Sequence, residues 1–310
     1  MKAGIIAVHY QYLYTILATI GIVGNLLIVY VTIRSKSLRS ACNVLIGLIS
    51  MGDILHLMGH WIMIMLHNTA KDQIVQQDIC VYWELLPVFG LSFSSVLLFS
   101  VAIDRLLAVQ KFYRNIVNGY KWLYTAIHIG PALVFAIFME VRAIVDRTDQ
   151  EKGLCLVITP IRGALFPIFL NFILCINVLM LFCYFLIYFF VRRMPMSDNN
   201  MKDIFRSLFV ISMTVVFGWF STTLLTIFTL IIQTTFSRLQ LDMLAGLFVN
   251  LACASNFFVY YALSREYRGI FDEYLYLHRL KKPISRFFGE RKVSHACTIV
   301  TRKNLEQGGN

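Results

Sequence analysis

A few polar and ionisable side chains interrupt the long apolar runs of this chain, and these residues could do chemistry. Asp53 lies in the middle of one run, Asn25 and Ser94 lie in two others, and Asn256 lies in a fourth. Such groups are costly in an apolar surrounding and therefore indicate function. Their carboxylate, amide and hydroxyl oxygens suit water or a hard cation such as sodium. The pattern predicts one shared buried site, although each group could also simply hydrogen-bond to a neighbouring helix.

His56 and His60 are a second candidate, because residues four apart share one face of a helix. That spacing can hold zinc. No Cys, His or acidic cluster elsewhere in the sequence completes a metal site or a convergent catalytic set. Hydrogen bonding between helices or contact with a ligand is therefore the favoured interpretation. We predict no certain metal site, no resident cofactor apart from a sodium ion, and no enzymatic activity.

The third candidate is Asp104-Arg105, at the end of a run that carries no charge between Glu84 and Asp104. Those 19 residues suffice to cross a bilayer at ~1.5 Å per residue. Cys80 opens the run, so it and the Asp–Arg pair are expected on opposite membrane faces. The pair could be a plain ion pair. Alternatively, Arg105 is held by Asp104 in one state and released to a cytosolic partner in another.

The composition is that of a membrane protein. Of the 310 residues, 58% are hydrophobic and 15% charged, whereas soluble domains carry about 25% charged residues. The predicted fold class is all-α, a seven-transmembrane helix bundle. Its predicted spans are Tyr10–Ile33, Ala41–Leu66, Ile79–Val109, Trp122–Val145, Pro160–Val191, Arg206–Ile232 and Leu241–Leu263.

Lys and Arg predict the orientation. Most of the 28 Lys and Arg fall on one side of these spans, which the positive-inside rule assigns to the cytosol. The net charge of +11 therefore indicates topology in the lipid bilayer of the plasma membrane, not nucleic-acid binding. The predicted organisation is a short extracellular N-terminus (1–9), a seven-transmembrane domain (10–263), an amphipathic eighth helix on the inner leaflet (264–278) and a basic, disordered cytoplasmic tail (279–310).

Cys80 and Cys155 are the two cysteines that this topology places clearly on the outer, oxidising side. A disulfide between them would pin the loop between the fourth and fifth spans over the bundle. Sequence alone leaves the pairing open.

Over Tyr10 to Phe271 the chain resembles rhodopsin-like G-protein-coupled receptors. Gly24-Asn25, Asp53, Asp104-Arg105-Leu106, Trp219 and Asn256-Phe-Phe-Val-Tyr260 are similar to the motifs of that family, in order and at its spacing. The stretches Leu38-Arg-Ser-Ala-Cys-Asn43 and Gly52-Asp-Ile-Leu-His56 are most similar to the nematode serpentine chemoreceptors of class sx (Srsx).

The resemblance implies roles for several residues. It implies a Cys80–Cys155 disulfide and a switch for G-protein coupling formed by Asp104, Arg105, Trp219, Asn256 and Tyr260. The candidate site for water or a sodium ion, at Asn25, Asp53, Ser94 and Asn256, follows from the residues themselves. For the ligand, the outer halves of the helices offer a lining of His60, Glu84, Leu91, Trp219, Thr222, Thr223 and Asn250.

The sequence departs from the family pattern at four positions. Ser221 and Phe257 stand where the sixth and seventh helices usually have Pro, so the kinks that Pro creates are not expected there. Leu106 replaces the Tyr of the Asp-Arg-Tyr motif, and Pro87 stands where amine receptors carry an Asp. The last substitution argues against a cationic amine ligand.

The function that we predict is a chemosensory receptor that converts binding of an extracellular small molecule into activation of a heterotrimeric G protein. The alternative is a transporter or channel that uses Asp53, Glu84 or Glu140. A transporter is disfavoured because the sequence has no internal repeat. A retinal photoreceptor is disfavoured because Leu241–Leu263 contains no Lys for a Schiff base.

Overall fold

The computed structural model describes residues 5–70, 72–110, 113, 117, 119–193, 206, 209–221 and 238–275. Long apolar runs become helices because a helix satisfies every backbone hydrogen bond within one segment, which lipid demands. The helices are α1 (Val8–Arg34), α2 (Ala41–Thr69), α3 (Gln77–Ala108), α4 (Lys121–Val145), α5 (Leu165–Arg193), α6 (Phe209–Ser221), α7 (Arg238–Leu263) and α8 (Arg265–Tyr274).

Six of these helices, α1 to α5 and α7, are long and apolar enough to cross a membrane, and α6 is a shorter apolar helix. They follow the predicted spans. Parts of the sixth span (207–208 and 222–232), the end of the eighth helix (276–278) and the whole tail (279–310) lie outside the described residues. The first four residues of the predicted N-terminus lie outside them too.

The predicted start of the fifth span, Pro160, is wrong. The structure has turns from Val157 to Ala164, and α5 begins only at Leu165. Gly163 explains the delay, because its φ of 52° is in the left-handed region, which a right-handed helix cannot include. The apolar pattern continued through this loop and so concealed its geometry.

A small antiparallel pair of strands was not predicted. Strand β1 (Val75–Gln76) pairs with β2 (Lys152–Gly153), with Val75 opposite Gly153. Backbone bonds from Gln77 and Asp78 to the same loop extend the contact, at 3.0 and 3.2 Å. These two-residue strands connect the start of α3 to the loop that precedes α5.

Helix α3 is the central element. It packs against α2, α4 and α5, while α1 packs against α2 and α7. Gly52 and Gly90 allow α2 and α3 to approach closely. A Cβ on Gly90 would lie 2.3 Å from the Gly52 carbonyl oxygen and 2.7 Å from the His56 nitrogen, so only glycine fits there. Small residues at a helix interface are how backbones come close in membranes.

Helix α7 runs without a break through Phe257, as the missing Pro predicts. The chain comprises two compact units, residues 1–270 and 271–310. In the first unit, α8 begins after Ser264, whose hydroxyl accepts the Tyr267 backbone N–H at 3.3 Å. Tyr267 is fully buried, and its ring lies 4.8 Å from that of Tyr260 in α7.

Candidate functional site

The four polar residues predicted to share a site meet between α1, α2, α3 and α7. Asn256 Nδ2 donates to Asp53 Oδ2 at 2.7 Å and to Asn25 Oδ1 at 3.3 Å. Asn25 Nδ2 donates in turn to the Cys253 carbonyl at 3.1 Å. Ser94 of α3 lies beside them, on the wall of the same small cavity as Asp53 and Asn256. All four are buried, and in the text below they are called the polar cluster.

The polar cluster borders a cavity of about 20 Å³, lined by Asp53, Ser94 and Asn256 among others. That volume holds about one water-sized particle. Asn256 Oδ1 is buried and has no hydrogen-bond partner among the described residues. A carboxylate, a hydroxyl and an unpaired amide oxygen beside one small void are donors that a hard cation accepts. These residues therefore fit a sodium ion, with Asp53 supplying the negative charge.

A larger cavity, of about 110 Å³, lies toward the Cys80 end of the bundle. Its lining is largely apolar and comes from α1, α2, α3, α5, α6, α7 and the loop before α5. Only a few side chains in it are polar, and these are Tyr14, His56, His60 and Asn250, together with the indole of Trp219. Ligand sites usually combine an apolar wall with a few placed polar groups in this way.

His56, His60 and Asn250 form a hydrogen-bonded group, called here the amide–imidazole group. The Nε2 atoms of His56 and His60 lie 3.1 and 2.7 Å from the same atom, Asn250 Oδ1. The three residues are at most 7% exposed. The spacing of four residues, which suggested zinc, places both imidazoles of α2 within hydrogen-bond distance of one amide of α7. No cluster of three or more metal-binding side chains occurs in the described part of the chain.

Trp219 of α6 joins the two cavities, since it lines both, as do Leu91 of α3 and Val249 of α7. The Trp219 side chain is 6% exposed, and its ring lies edge-on to Phe169 of α5 at 5.8 Å. A molecule in the larger cavity therefore shares walls with the void beside Asp53. This is a direct physical route from one site to the other.

The predicted ligand residues divide into three groups. His60, Leu91, Trp219 and Asn250 line the larger cavity. Glu84 is not part of the lining that the described residues form, and Thr222 and Thr223 lie outside the described residues. The prediction missed Tyr14 and the loop residues Leu156–Ile158. The loop could have been found, because it directly follows the cysteine that was expected to pin it over the bundle.

Cys80 and Cys155 form a disulfide, with their Cα atoms 5.5 Å apart. This bond fixes the Leu156–Ile158 segment over the larger cavity. Val157 also packs close to Gly59 of α2, where a Cβ would lie 2.5 Å from its Cγ2. The loop is held at the disulfide, at Gly59 and at the β1–β2 pair, so it is a fixed cover.

Glu84 lies beside this cover. Its side chain is fully buried, with Oε1 3.9 Å from Cys155 Sγ and Oε2 close to Gly59. Oε2 has no hydrogen-bond partner within the described ranges. Glu140 is on α4 and is partly buried. With Asp53 in the polar cluster, the three acids of the transporter alternative lie on three different helices.

At the other end of the bundle, the Asp104 carboxylate is enclosed by donors. Arg105 forms an ion pair with Oδ2, with its Nε at 2.8 Å. The hydroxyls of Tyr124 and Tyr113 donate to Oδ1 at 2.8 and 3.0 Å. The Cys42 side chain of α2 lies close to the same carboxylate. We call this arrangement the Asp104 cage.

The Asp104 cage holds Arg105 at the end of α3, with only 9% of that residue exposed. Burial, and then the Asp104 charge, raise the pKa of Tyr113, so its hydroxyl remains a neutral donor. Tyr260, predicted to belong to the same switch, lies against Tyr267. Sequence reasoning missed Tyr113 and Tyr124, which supply the hydroxyls at the motif where Leu106 replaces Tyr.

A membrane bundle with a covered cavity at one end and a caged Asp–Arg pair at the other has the architecture of a seven-transmembrane receptor. The family model described as "Serpentine type 7TM GPCR chemoreceptor Srsx" matches residues 18–275. The chain belongs to this family, which confirms the class and the seven-transmembrane fold predicted from its motifs. None of the curated proteins with which the chain was compared matches it.

Proposed function

We propose that the protein is a chemosensory receptor, not an enzyme, which binds a small molecule in the larger cavity and activates a heterotrimeric G protein. The observation that carries this proposal is the wall shared by the two cavities. A ligand against Trp219, Leu91 and Val249 changes the packing around the polar cluster. Signalling requires only that the ligand has different affinities for two states of the bundle.

The output side of this mechanism is the Asp104 cage. In the state described here Arg105 is paired with Asp104 and nearly buried. Release of the Asp104 carboxylate from its donors frees the guanidinium for a partner at that end of the bundle. The distribution of Lys and Arg supports placing this end in the cytosol and the disulfide outside. The family assignment favours this receptor over a transporter or channel built on Asp53, Glu84 or Glu140.

We also propose that a sodium ion binds at the polar cluster and stabilises the resting state. The support is the unpaired Asn256 Oδ1 beside the Asp53 carboxylate and a void for about one small particle. Movement of Trp219 changes the shape of this void, because Trp219 is part of its lining. Sodium binding and ligand binding are then coupled reciprocally.

The proposal is tested by G-protein activation in cells that express the chain, across a panel of small volatile and soluble molecules. We expect activation that Arg105→Ala abolishes at equal surface expression. Arg142→Ala is the control, because Arg142 makes an exposed ion pair with Asp146 at the other end of α4. Equal signals from the Arg105→Ala variant and the wild type would remove Arg105 from the mechanism.

A further inference from the structure

One side chain of the segment before α1 is buried at the Cys80 end of the bundle. Ile6 is 1% exposed, although Ile5 and Val8 beside it are 45% and 63% exposed. Its side chain belongs to a hydrophobic cluster with three buried residues from α1, α2 and α7, which are Tyr14, Met63 and Met243. All three of these also line the larger cavity. Ile6 therefore packs against residues that form the wall of that cavity.

The loop before α5 meets Ile6 at the same place. Leu154 and Leu156 pack against the cluster, and Leu156 also lines the larger cavity. Between them, Cys155 ties the loop to α3 through the disulfide. Ile6 therefore lies where this fixed loop meets the ends of α1, α2 and α7. Together the loop and Ile6 cover this corner of the cavity.

The segment that carries Ile6 is held less firmly than the loop. In the described part of the chain, the Ile5 N–H donates to Gln73 Oε1 at 2.9 Å, and Gln11 Nε2 donates to the Ile6 carbonyl at 3.0 Å. The first hydrogen bonds of α1 end at the carbonyl of Ala7, so the helix does not depend on the residues before it. Displacement of Ile6 therefore breaks two hydrogen bonds and exposes one side chain, while α1 remains intact.

We propose that Ile6 is the gate of the larger cavity, which a small molecule displaces to enter at the Cys80 end of the bundle. This inference deepens the proposed receptor function and rests on the same cavity. The loop is held at the disulfide, at Gly59 and at the β1–β2 pair, whereas two hydrogen bonds and one side chain hold Ile6. The segment of Ile6 is therefore the part of the cover that moves. Such lids open to admit a ligand and close to exclude water.

The test measures how fast a small reagent enters the cavity of the purified full-length chain. Leu91→Cys introduces a thiol on the cavity wall, on α3 and away from the Ile6 cluster. The reagent is methyl methanethiosulfonate, which is small and uncharged, and mass spectrometry of peptides gives the rate of modification at each position. In this background, Ile6→Ala should raise the rate at position 91 about 10- to 100-fold, because burial of an Ile side chain keeps the gate closed by about that factor.

Two variants and one native thiol are the controls. Ile5→Ala removes an exposed side chain of the same segment, so the rate at position 91 should not change. Ile6→Leu retains an apolar side chain of the same size, so modification should remain slow. Cys42 is 2% exposed, at the opposite end of α2 from Met63, and its rate should be the same in every variant.

Equal rates at position 91 with and without Ile6→Ala would overturn the inference. A rise at Cys42 as large as that at position 91 would also overturn it, because the whole bundle would then have loosened. The assay needs neither a ligand nor a G protein. Faster entry without G-protein activation by any molecule of the panel would therefore uphold the gate and refute coupling. Activation together with an unchanged rate of entry would refute the gate alone.

Discussion

Removal of the Tyr124 hydroxyl is the sharpest perturbation of the Asp104 cage. In Tyr124→Phe the ring remains in place against Tyr113 and His128, at 5.9 and 4.4 Å. Only the 2.8 Å hydrogen bond to Asp104 Oδ1 is lost. If the cage belongs to the resting state, the variant weakens that state and leaves the active state unchanged. The expected result is activity without any ligand.

The magnitude follows from the type of bond. A hydrogen bond to a charged group contributes about 1.5–3 kcal/mol, and 1.4 kcal/mol is a factor of ten in an equilibrium constant. The equilibrium between resting and active receptor should therefore shift about 10- to 100-fold. A receptor that is about 1% active at rest would become roughly 10–50% active. Removing the Tyr113 hydroxyl, at 3.0 Å, should have a smaller effect because that residue is less buried.

The assay is ligand-free G-protein activation divided by the amount of receptor on the cell surface. Tyr120→Phe is the control, because it removes the same hydroxyl from a neighbouring tyrosine that is 70% exposed. A double-mutant cycle adds a second criterion. Asp104→Asn should raise basal activity, and Tyr124→Phe should add little to it, since both act on one contact. Unchanged basal activity in Tyr124→Phe at normal surface expression would refute the reasoning.

Three further predictions concern stability in purified full-length protein, measured by melting temperature. Cys80→Ser should lower the free energy of unfolding by about 4 kcal/mol, because it opens a loop of 75 residues that the disulfide closes. Cys175→Ser changes an exposed free thiol, so this variant should melt like wild type. Gly90→Ala should lower the melting temperature strongly, because its Cβ has no space. The Cβ of Gly130→Ala on α4 meets nothing within 4 Å, so this variant should gain about 0.5–1 kcal/mol in free energy of unfolding. Equal effects of the two changes would refute the close approach of α2 and α3. Sodium should raise the melting temperature above that in potassium at equal ionic strength, and Asp53→Asn should abolish the difference; a sodium effect that survives this variant would place the ion elsewhere.

Residue types within apolar runs were enough to predict several features of this protein. The absence of charge over long segments predicted the helices, and α2 begins at Ala41 as predicted, directly after the Ser40 side chain that accepts the Asn43 N–H at 3.2 Å. The polar residues of the cluster were identifiable because each is expensive in lipid. Because such side chains are costly to bury without a partner, they are expected to hydrogen-bond to one another, as Asn256 and Asp53 do.

Other features depend on how helices align with one another, which no local pattern encodes. His56 and Asn250 are 194 residues apart, and their contact depends on the relative heights of α2 and α7. Tyr113 and Tyr124 reach Asp104 from 9 and 20 residues farther along the chain. Glu84 was predicted in the ligand lining because it lies on the right helix, but its side chain is directed to Gly59 and the disulfide.

The contact between Gly52 and Gly90 has a mechanical consequence. With backbone atoms already touching, α2 and α3 cannot rotate or slide against each other without separating. The two helices therefore hold Asp53, His56 and Asp104 in fixed positions relative to one another. Beside Trp219 on α6, a Cβ on Gly218 would lie 3.2 Å from the Val249 backbone of α7, which is a less close approach than that of Gly52 and Gly90. Under the proposed mechanism, a ligand would therefore displace the helices that face α2 and α3, and these two would keep their positions.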